Sequence, residues 1–269
     1  MFRTLQAQII IVLSCLILIL VFQIFLSYSH QELLANSQKL TQDSASELEL
    51  INKLERDVID LQRHVLIYKN TETSSSADHF KKIIISINEK LNELSSFSDQ
   101  DKDKDTLSYI NIIERMKVHL NDYNSNFQSV IKGKEVRNTI FKKLIENSFK
   151  DTLSQKKISP ISQSKIDNIT TEQVDSLIKS SKVSLLQYSI SPHYEHIEKF
   201  NTNISSALKI TTQDPSLKET GKKIRSIKKD FYKLTQQTRG YVFLINVVMT
   251  VSANEILYLT QEISKIIDK

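Results

Sequence analysis

Glycine and proline each occur only three times in 269 residues. Tight turns draw on these two residues, one for positive φ and the other for a fixed φ, so a chain this poor in both cannot build many short strands joined by hairpins. That excludes most β-sandwiches, barrels and propellers and leaves long helices. Gly133, Gly221 and Gly240 also stand too far apart to form the glycine-rich loop of a nucleotide site. No nucleophile elbow, catalytic triad or carboxylate pair is recognisable, so no enzymatic activity is expected.

The 36 Lys and Arg against 31 Asp and Glu give a net charge of +5. Read along the chain, the lysines are scattered among acids and make a solvated surface. They do not form a basic block with interleaved aromatics, and no nucleic-acid partner is expected. The single cysteine, Cys15, excludes an intrachain disulfide and a cysteine-based zinc site. His193 and His196 stand beside Glu195 and Glu198, but Ser191, Pro192 and Lys199 mark a polar helix start, so neither a metal nor a cofactor is expected.

Ile9 to Leu26 is an apolar run broken only by Ser14, Cys15 and Gln23. At about 18 residues and about 27 Å it is long enough to cross a hydrocarbon core. Leu26, Ser27, Tyr28 and Ser29 form a poor cleavage site, which favours an uncleaved anchor. Arg3 precedes the run and no Lys or Arg follows it before Lys39. The positive-inside rule then places residues 1–8 in the cytoplasm, 9–27 in the membrane and 28–269 outside. Tyr241 to Val251 is apolar but too short to span and contains Asn246, so a single crossing is expected.

Beyond the anchor, Ile51, Leu54, Val58, Leu61, Val65 and Tyr68 repeat at spacings of three and four, a helix seam predicted to run from about Ser29 to Lys69. Further helices are predicted over Ala77–Phe97, Thr106 to about Gln155 with a weak point near Gly133, Thr171–Ile190, and Pro192 to about Ile210 with Ser191 as cap. Asp214 and Pro215 open the last helix, whose seam runs through Ile245, Val248, Ser252 and Ile256 to Ile266. The successive spacings of four around Ser252 are a stutter. The fold class is therefore all-α: an elongated bundle of about six helices in two stacked four-helix modules, preceded by one transmembrane helix.

Leu54-Glu55-Arg56-Asp57-Val58-Ile59-Asp60-Leu61-Gln62-Arg63 in the first helix, with Asn246-Val247-Val248-Met249 and Asn254-Glu255-Ile256-Leu257-Tyr258-Leu259 in the last, resemble the helical bimodular sensor domain of bacterial chemoreceptors and sensor histidine kinases. The resemblance covers about Ser29 to Lys269. It implies an extracytoplasmic domain at the inner membrane that binds a small organic acid or a periplasmic binding protein and passes a helix shift across the membrane. The chain ends at Lys269 without a second span, kinase core or methyl-accepting hairpin, so it reads as the sensor half alone. An anchored helical tether or adhesion stalk without a ligand is the alternative.

A small anionic metabolite would be gripped by arginine, whose guanidinium holds a carboxylate bidentately. If the two long helices leave and re-enter the membrane at Tyr28 and Lys269, Arg56 is level with Tyr241 and Arg239 with Val58, bringing Arg56, Arg63 and Arg239 to one height. Tyr232, Arg239 and Asn246 share one stripe of the last helix, with Asn246 expected as a buried amide. Gln62 projects into the apolar arc of the first helix. The expected ligand set is Arg239, Asn246, Tyr232, Arg56, Arg63 and Gln62, set against a plain reading of solvated ion pairs and structural hydrogen bonds. Pairing as a parallel homodimer is also expected.

Overall fold

The structure is a computed structural model that describes residues 2–98, 104–149 and 165–267. Side chains are described from Leu18 onward except at scattered positions. Those of Arg3, Cys15 and much of the 9–27 run lie outside the described residues, as do residues 99–103 and 150–164, the end of the helix predicted to about Gln155 among them.

The chain is a helical bundle, and no strand occurs among the described residues. The α-helices are α1 (Phe2–Thr71), α2 (Ser74–Ser98), α3 (Lys104–Lys143), α4 (Lys165–Ile190), α5 (Tyr194–Gln213), α6 (Lys218–Phe243) and α7 (Thr250–Ile267). A π-helical turn, Leu144–Ser148, extends α3, and a second, Leu244–Met249, joins α6 to α7. Seven α-helices rather than about six are described because this second π segment divides the last long helix, which otherwise runs unbroken from Pro215 to Ile267 over 53 residues. α3 passes through Gly133 without a break, and α1 carries the apolar run and the first seam in one piece.

The helix ends follow local chemistry. Asp214 Oδ1 accepts from the Ser216 backbone N–H at 2.9 Å, and Pro215 opens a 3₁₀ turn that leads into α6, the start predicted from the sequence. The start predicted at Pro192 is displaced: α5 begins at Tyr194, and His193 is its extended N-cap with φ −83° and ψ 148°. Ser191 still donates its N–H to Gln187, closing α4, so Pro192 serves the exit from one helix and not the entry to the next. α5 and α6 come close at Gly221, where an added Cβ would lie 3.0 Å from the Thr211 hydroxyl.

Two compact units divide the chain. The first comprises Met1–His64, Thr73–Leu120 and Ala253–Lys269. Its core takes Ile51, Leu54, Val58 and Leu61 from α1, Phe80, Ile87 and Leu91 from α2, Ile113 and Met116 from α3, and Ile256, Leu259 and Ile263 from α7, all buried. The second comprises Val65–Glu72 and Asn121–Ser252. In it α4 packs on α5 and α5 on α6, around Val174, Ile178, Tyr188, Phe200, Ile204, Ile227, Phe231 and Leu234. The Phe200 and Phe231 rings stack with centroids 3.6 Å apart.

Both predicted seams are the buried stripes of their helices, with one shift. Val248 is only partly buried, and Met249 takes the core position at 1% exposure. The π turn over Leu244–Met249 holds one extra residue, which displaces the buried position there by one; Ser252 and Ile256 then resume the predicted seam, with Ala253 buried beside them. The stutter near Ser252 marks the same disturbance a few residues late.

The Pro215–Ile267 helix contains an 18-residue window of mean hydropathy 1.7, long and apolar enough to cross a membrane, with 33% of the window buried within the protein. This differs from the expectation that only the N-terminal run reaches that length. Ile245, Met249, Ile256 and Leu259 supply part of that hydropathy and face the interior, whereas Phe243, Val247 and Val251 are exposed. Leu18–Tyr28, the described part of the N-terminal run, is also an apolar helix, though shorter.

Truncation separates seam from surface. Phe231→Ala removes a buried ring stacked on Phe200 and should cost about 3–5 kcal/mol, while Ile59→Ala, at an exposed position, should stay within about 0.5 kcal/mol. Chemical denaturation followed by circular dichroism measures both; equal effects would contradict the assignment of faces.

Candidate functional site

The end of α1 is set by an unusual residue. Glu72 has φ 55°, the one positive φ at a non-glycine position among the described residues, and its N–H donates to the Tyr68 carbonyl at 3.0 Å. This is the left-handed helix stop that glycine normally supplies, and a residue with a side chain holds it only when its surroundings fix it. Here they do. Lys134 on α3 donates to the Lys69 carbonyl at 2.6 Å and to Glu72 Oε1 at 2.8 Å, and lies 3.4 Å from the Tyr68 carbonyl. Asn138, one turn on, donates to Glu72 Oε2 at 2.6 Å.

Lys134 is 2% exposed, an environment that tolerates an ammonium only when its three donors are met and a counter-charge is near. The α1 carboxyl end offers carbonyls and the negative end of a helix dipole, and Glu72 adds a full charge. The Tyr68 and Tyr241 rings complete the surround at 5.6 and 5.3 Å. Burial lowers the Lys134 ammonium below its ordinary value, with Glu72 opposing. Partial burial pushes the Glu72 carboxyl up, but hydrogen bonds from Lys134 and Asn138 outweigh it and leave Glu72 below its ordinary value.

Beside this pair lies a cavity of about 350 Å³, wholly within the second unit. Lys69, Lys134 and Arg137 bring three cations to it, Glu72 the one acid, and Tyr188, Thr238 and Tyr241 a wall of hydroxyls and rings. Arg137 caps α4, donating to the Ser189 carbonyl at 2.8 Å, and donates to Asn138 Oδ1 at 2.8 Å, while its Nε is buried without a partner. Burial raises the Tyr188 and Tyr241 phenols above their ordinary value, against hydrogen bonds with Thr238 and the charge of Arg137. At neutral pH both are donors. The cavity thus has a surplus of positive charge and two neutral phenols, a set that complements a small anion.

The residues named from sequence do not converge. Glu55 accepts from Thr260 at 3.0 Å, and Asn246 Oδ1 accepts from Lys69 at 3.0 Å. Level positions on α1 and the last helix therefore add to about 315, not about 297, a displacement of five helical turns. Arg56, Gln62 and Arg63 belong to the first unit, whereas Tyr232, Arg239 and Asn246 belong to the second. Arg63 is exposed and pairs with Asp60 on its own helix at 3.1 Å, and Arg56 is exposed. Asn246 is exposed, not buried; the apolar residues around it lie on both faces of the helix, and its amide meets the Lys69 ammonium at the surface. Arg239 is exposed, and its charge reaches Tyr188 of the cavity wall. Tyr232 is exposed and lines a different groove.

One acid from the first-helix motif and one from the last tie the first unit together. Asp57 accepts from Ser86 at 2.8 Å and Lys90 at 2.7 Å, and Glu255 accepts from Arg115 at 2.9 Å. Sequence reasoning passed over Lys134, which nothing in its neighbourhood marks, and did not select Arg137, one of the few outward arginines, because only Arg56, Arg63 and Arg239 fell at one height in the assumed register. No family model matches the chain, and no curated protein matches it.

Lys134→Met should destabilise the second unit by about 3–5 kcal/mol, because it strands a partly buried carboxylate. Adding Glu72→Gln should recover part of that loss, which a double-mutant cycle in denaturant measures. A group with a depressed folded pKa contributes stability above its unfolded value, about 4.3 for Glu, and loses it as pH falls through the folded value. The wild type should therefore lose more stability than Glu72→Gln on acidification from about pH 5 downward; parallel pH profiles would contradict the pairing.

Proposed function

We propose that this chain is the extracytoplasmic ligand-sensing region of a bacterial transmembrane signalling receptor, either a sensor histidine kinase or a chemoreceptor. In this reading the 9–27 run is the membrane anchor, and the two units are the two four-helix modules of the bimodular sensor type. The chain works as a homodimer and carries no catalysis itself. A small organic acid binds in the cavity at the end of α1, and its binding is transmitted as a shift of the long helices. The observation that carries the proposal is the cavity with Lys69, Lys134 and Arg137 on its wall against the single acid Glu72, and Tyr188 and Tyr241 as neutral phenols.

The placement also gives a route for the signal. Lys69, Asn70 and Glu72 are the last turn of α1 and the residue that stops it. A carboxylate that engages Arg137 and Lys69 competes with Asn246 for the Lys69 ammonium and with Asn138 for the guanidinium, so binding changes what holds the end of the helix that continues to the N-terminus. Arg239, on the exposed side of α6, adds long-range attraction.

The test is a thermal-shift panel of mono-, di- and tricarboxylates and amino acids on the chain in detergent. An acid at 100 times its Kd should stabilise the folded state by about 2.7 kcal/mol. Arg137→Gln should abolish the shift with helix content unchanged, and Arg239→Ala should weaken it by less. If no acid in the panel shifts the wild type, the small-acid reading falls and recognition of a periplasmic binding protein takes its place.

A further inference from the structure

The chain's excess charge is not spread over its surface. α6 carries eight Lys and Arg against two acids, a surplus of six where the whole chain has +5. Both acids are already engaged: Glu219 with Lys222 at 2.7 Å, and buried Asp230 with Lys143 at 2.7 Å. Lys218, Lys222, Arg225, Lys229 and Lys233 follow one another at spacings of four, three, four and four, and all are exposed. They form a single cationic row about 22 Å long on one helix face. The sequence Lys222-Lys223-Ile224-Arg225-Ser226-Ile227-Lys228-Lys229 is a dense basic stretch of the kind that binds polyanions.

A groove of about 350 Å³ opens beside the middle of this row, between α5 and α6 and wholly within the second unit. Arg225, Lys228 and Lys229 line it, and no acid does. Its floor is apolar, from Ile197 and Phe231, and Asn201 and Thr235 add an amide and a hydroxyl. The Tyr232 ring stands on its edge at 62% exposure. A sugar ring needs this combination: an aromatic or apolar surface for its C–H face, hydrogen-bonding groups for its hydroxyls, and cations for attached carboxylates or sulfates. Single-stranded nucleic acid draws instead on several aromatic platforms for successive bases, and this groove offers one exposed ring. The row is also much longer than a single small acid requires.

We propose that the α5–α6 groove and the α6 cationic row bind a linear anionic polysaccharide, with one sugar seated against Tyr232 and its neighbours' charges laid along Lys218 to Lys233. The proposal is independent of the small-acid cavity, whose residues it does not use.

The experiment titrates the full chain in detergent with a fluorescent heparin hexasaccharide, a carboxylate-only polygalacturonate hexamer and the oligonucleotide dT12. Saturable hexasaccharide binding is expected, weakened at least tenfold by Arg225→Gln/Lys228→Gln/Lys229→Gln, with a salt dependence shallower by about two to three ions. Tyr232→Ala should weaken binding several-fold and leave the salt slope unchanged, since it removes ring contact and no charge. A charge-matched control, Lys132→Gln/Lys179→Gln/Lys209→Gln, changes exposed lysines elsewhere in the same unit and should stay within twofold of wild type. Absence of saturable binding to either glycan, an equal loss in the control, or dT12 binding as tightly and with the same residue dependence would each overturn the proposal.

Discussion

The buried ammonium of Lys134 is the interaction on which the organisation of the second unit depends. It lies at 2% exposure against the carboxyl end of α1 and is held by two backbone carbonyls and Glu72. An uncompensated charge there would cost several kcal/mol, so the end of α1, the left-handed backbone of Glu72 and the position of α3 are fixed together. Arg137, one turn along α3, holds the end of α4 in the same way through the Ser189 carbonyl. Two successive cations of one helix therefore terminate two others, and the space between those termini is the cavity.

That arrangement places chemistry where a helical bundle is short of it. Bundle interiors are apolar and helix flanks are solvated, so a polar cavity forms where helices stop and their carbonyls need partners. Here the partners are cations with donors to spare, and the cavity selects for negative charge. The α5–α6 groove arises differently, beside a helix whose surplus of six positive charges exceeds the net charge of the whole chain. A metabolite-sized anion and an extended polyanion would thus meet separate surfaces of one unit.

The seams were legible because burial at period 3.6 is written directly into residue type: Leu54, Val58 and Leu61 on α1, and Ile224, Ile227 and Leu234 on α6, are buried as their spacing requires. The switch from Val248 to Met249 was not legible, since a π turn costs little and both residues are apolar. The antiparallel register was misplaced by five turns because it was anchored to the presumed membrane exits of Tyr28 and Lys269, whereas pairs such as Glu55 with Thr260 set it. The site suffered most from that error. Arg56 and Arg239 were conspicuous as scarce guanidinia, but a lysine among 36 basic residues gives no sign that it is the buried one. Net charge likewise concealed α6, since an average over the chain cannot distinguish scattered lysines from a row of them.

The most direct test of this account is the titration of Lys134 itself, followed by NMR of the chain with ¹⁵Nζ-labelled lysine. The account predicts one ammonium signal protected from solvent exchange at neutral pH, titrating below the ordinary lysine value of about 10.4 and assigned to Lys134 by its loss in Lys134→Met. Glu72→Gln should move that titration lower still, because it removes the charge that opposes burial. A Lys134 signal that exchanges freely and titrates at the ordinary lysine value, unmoved by Glu72→Gln, would contradict it.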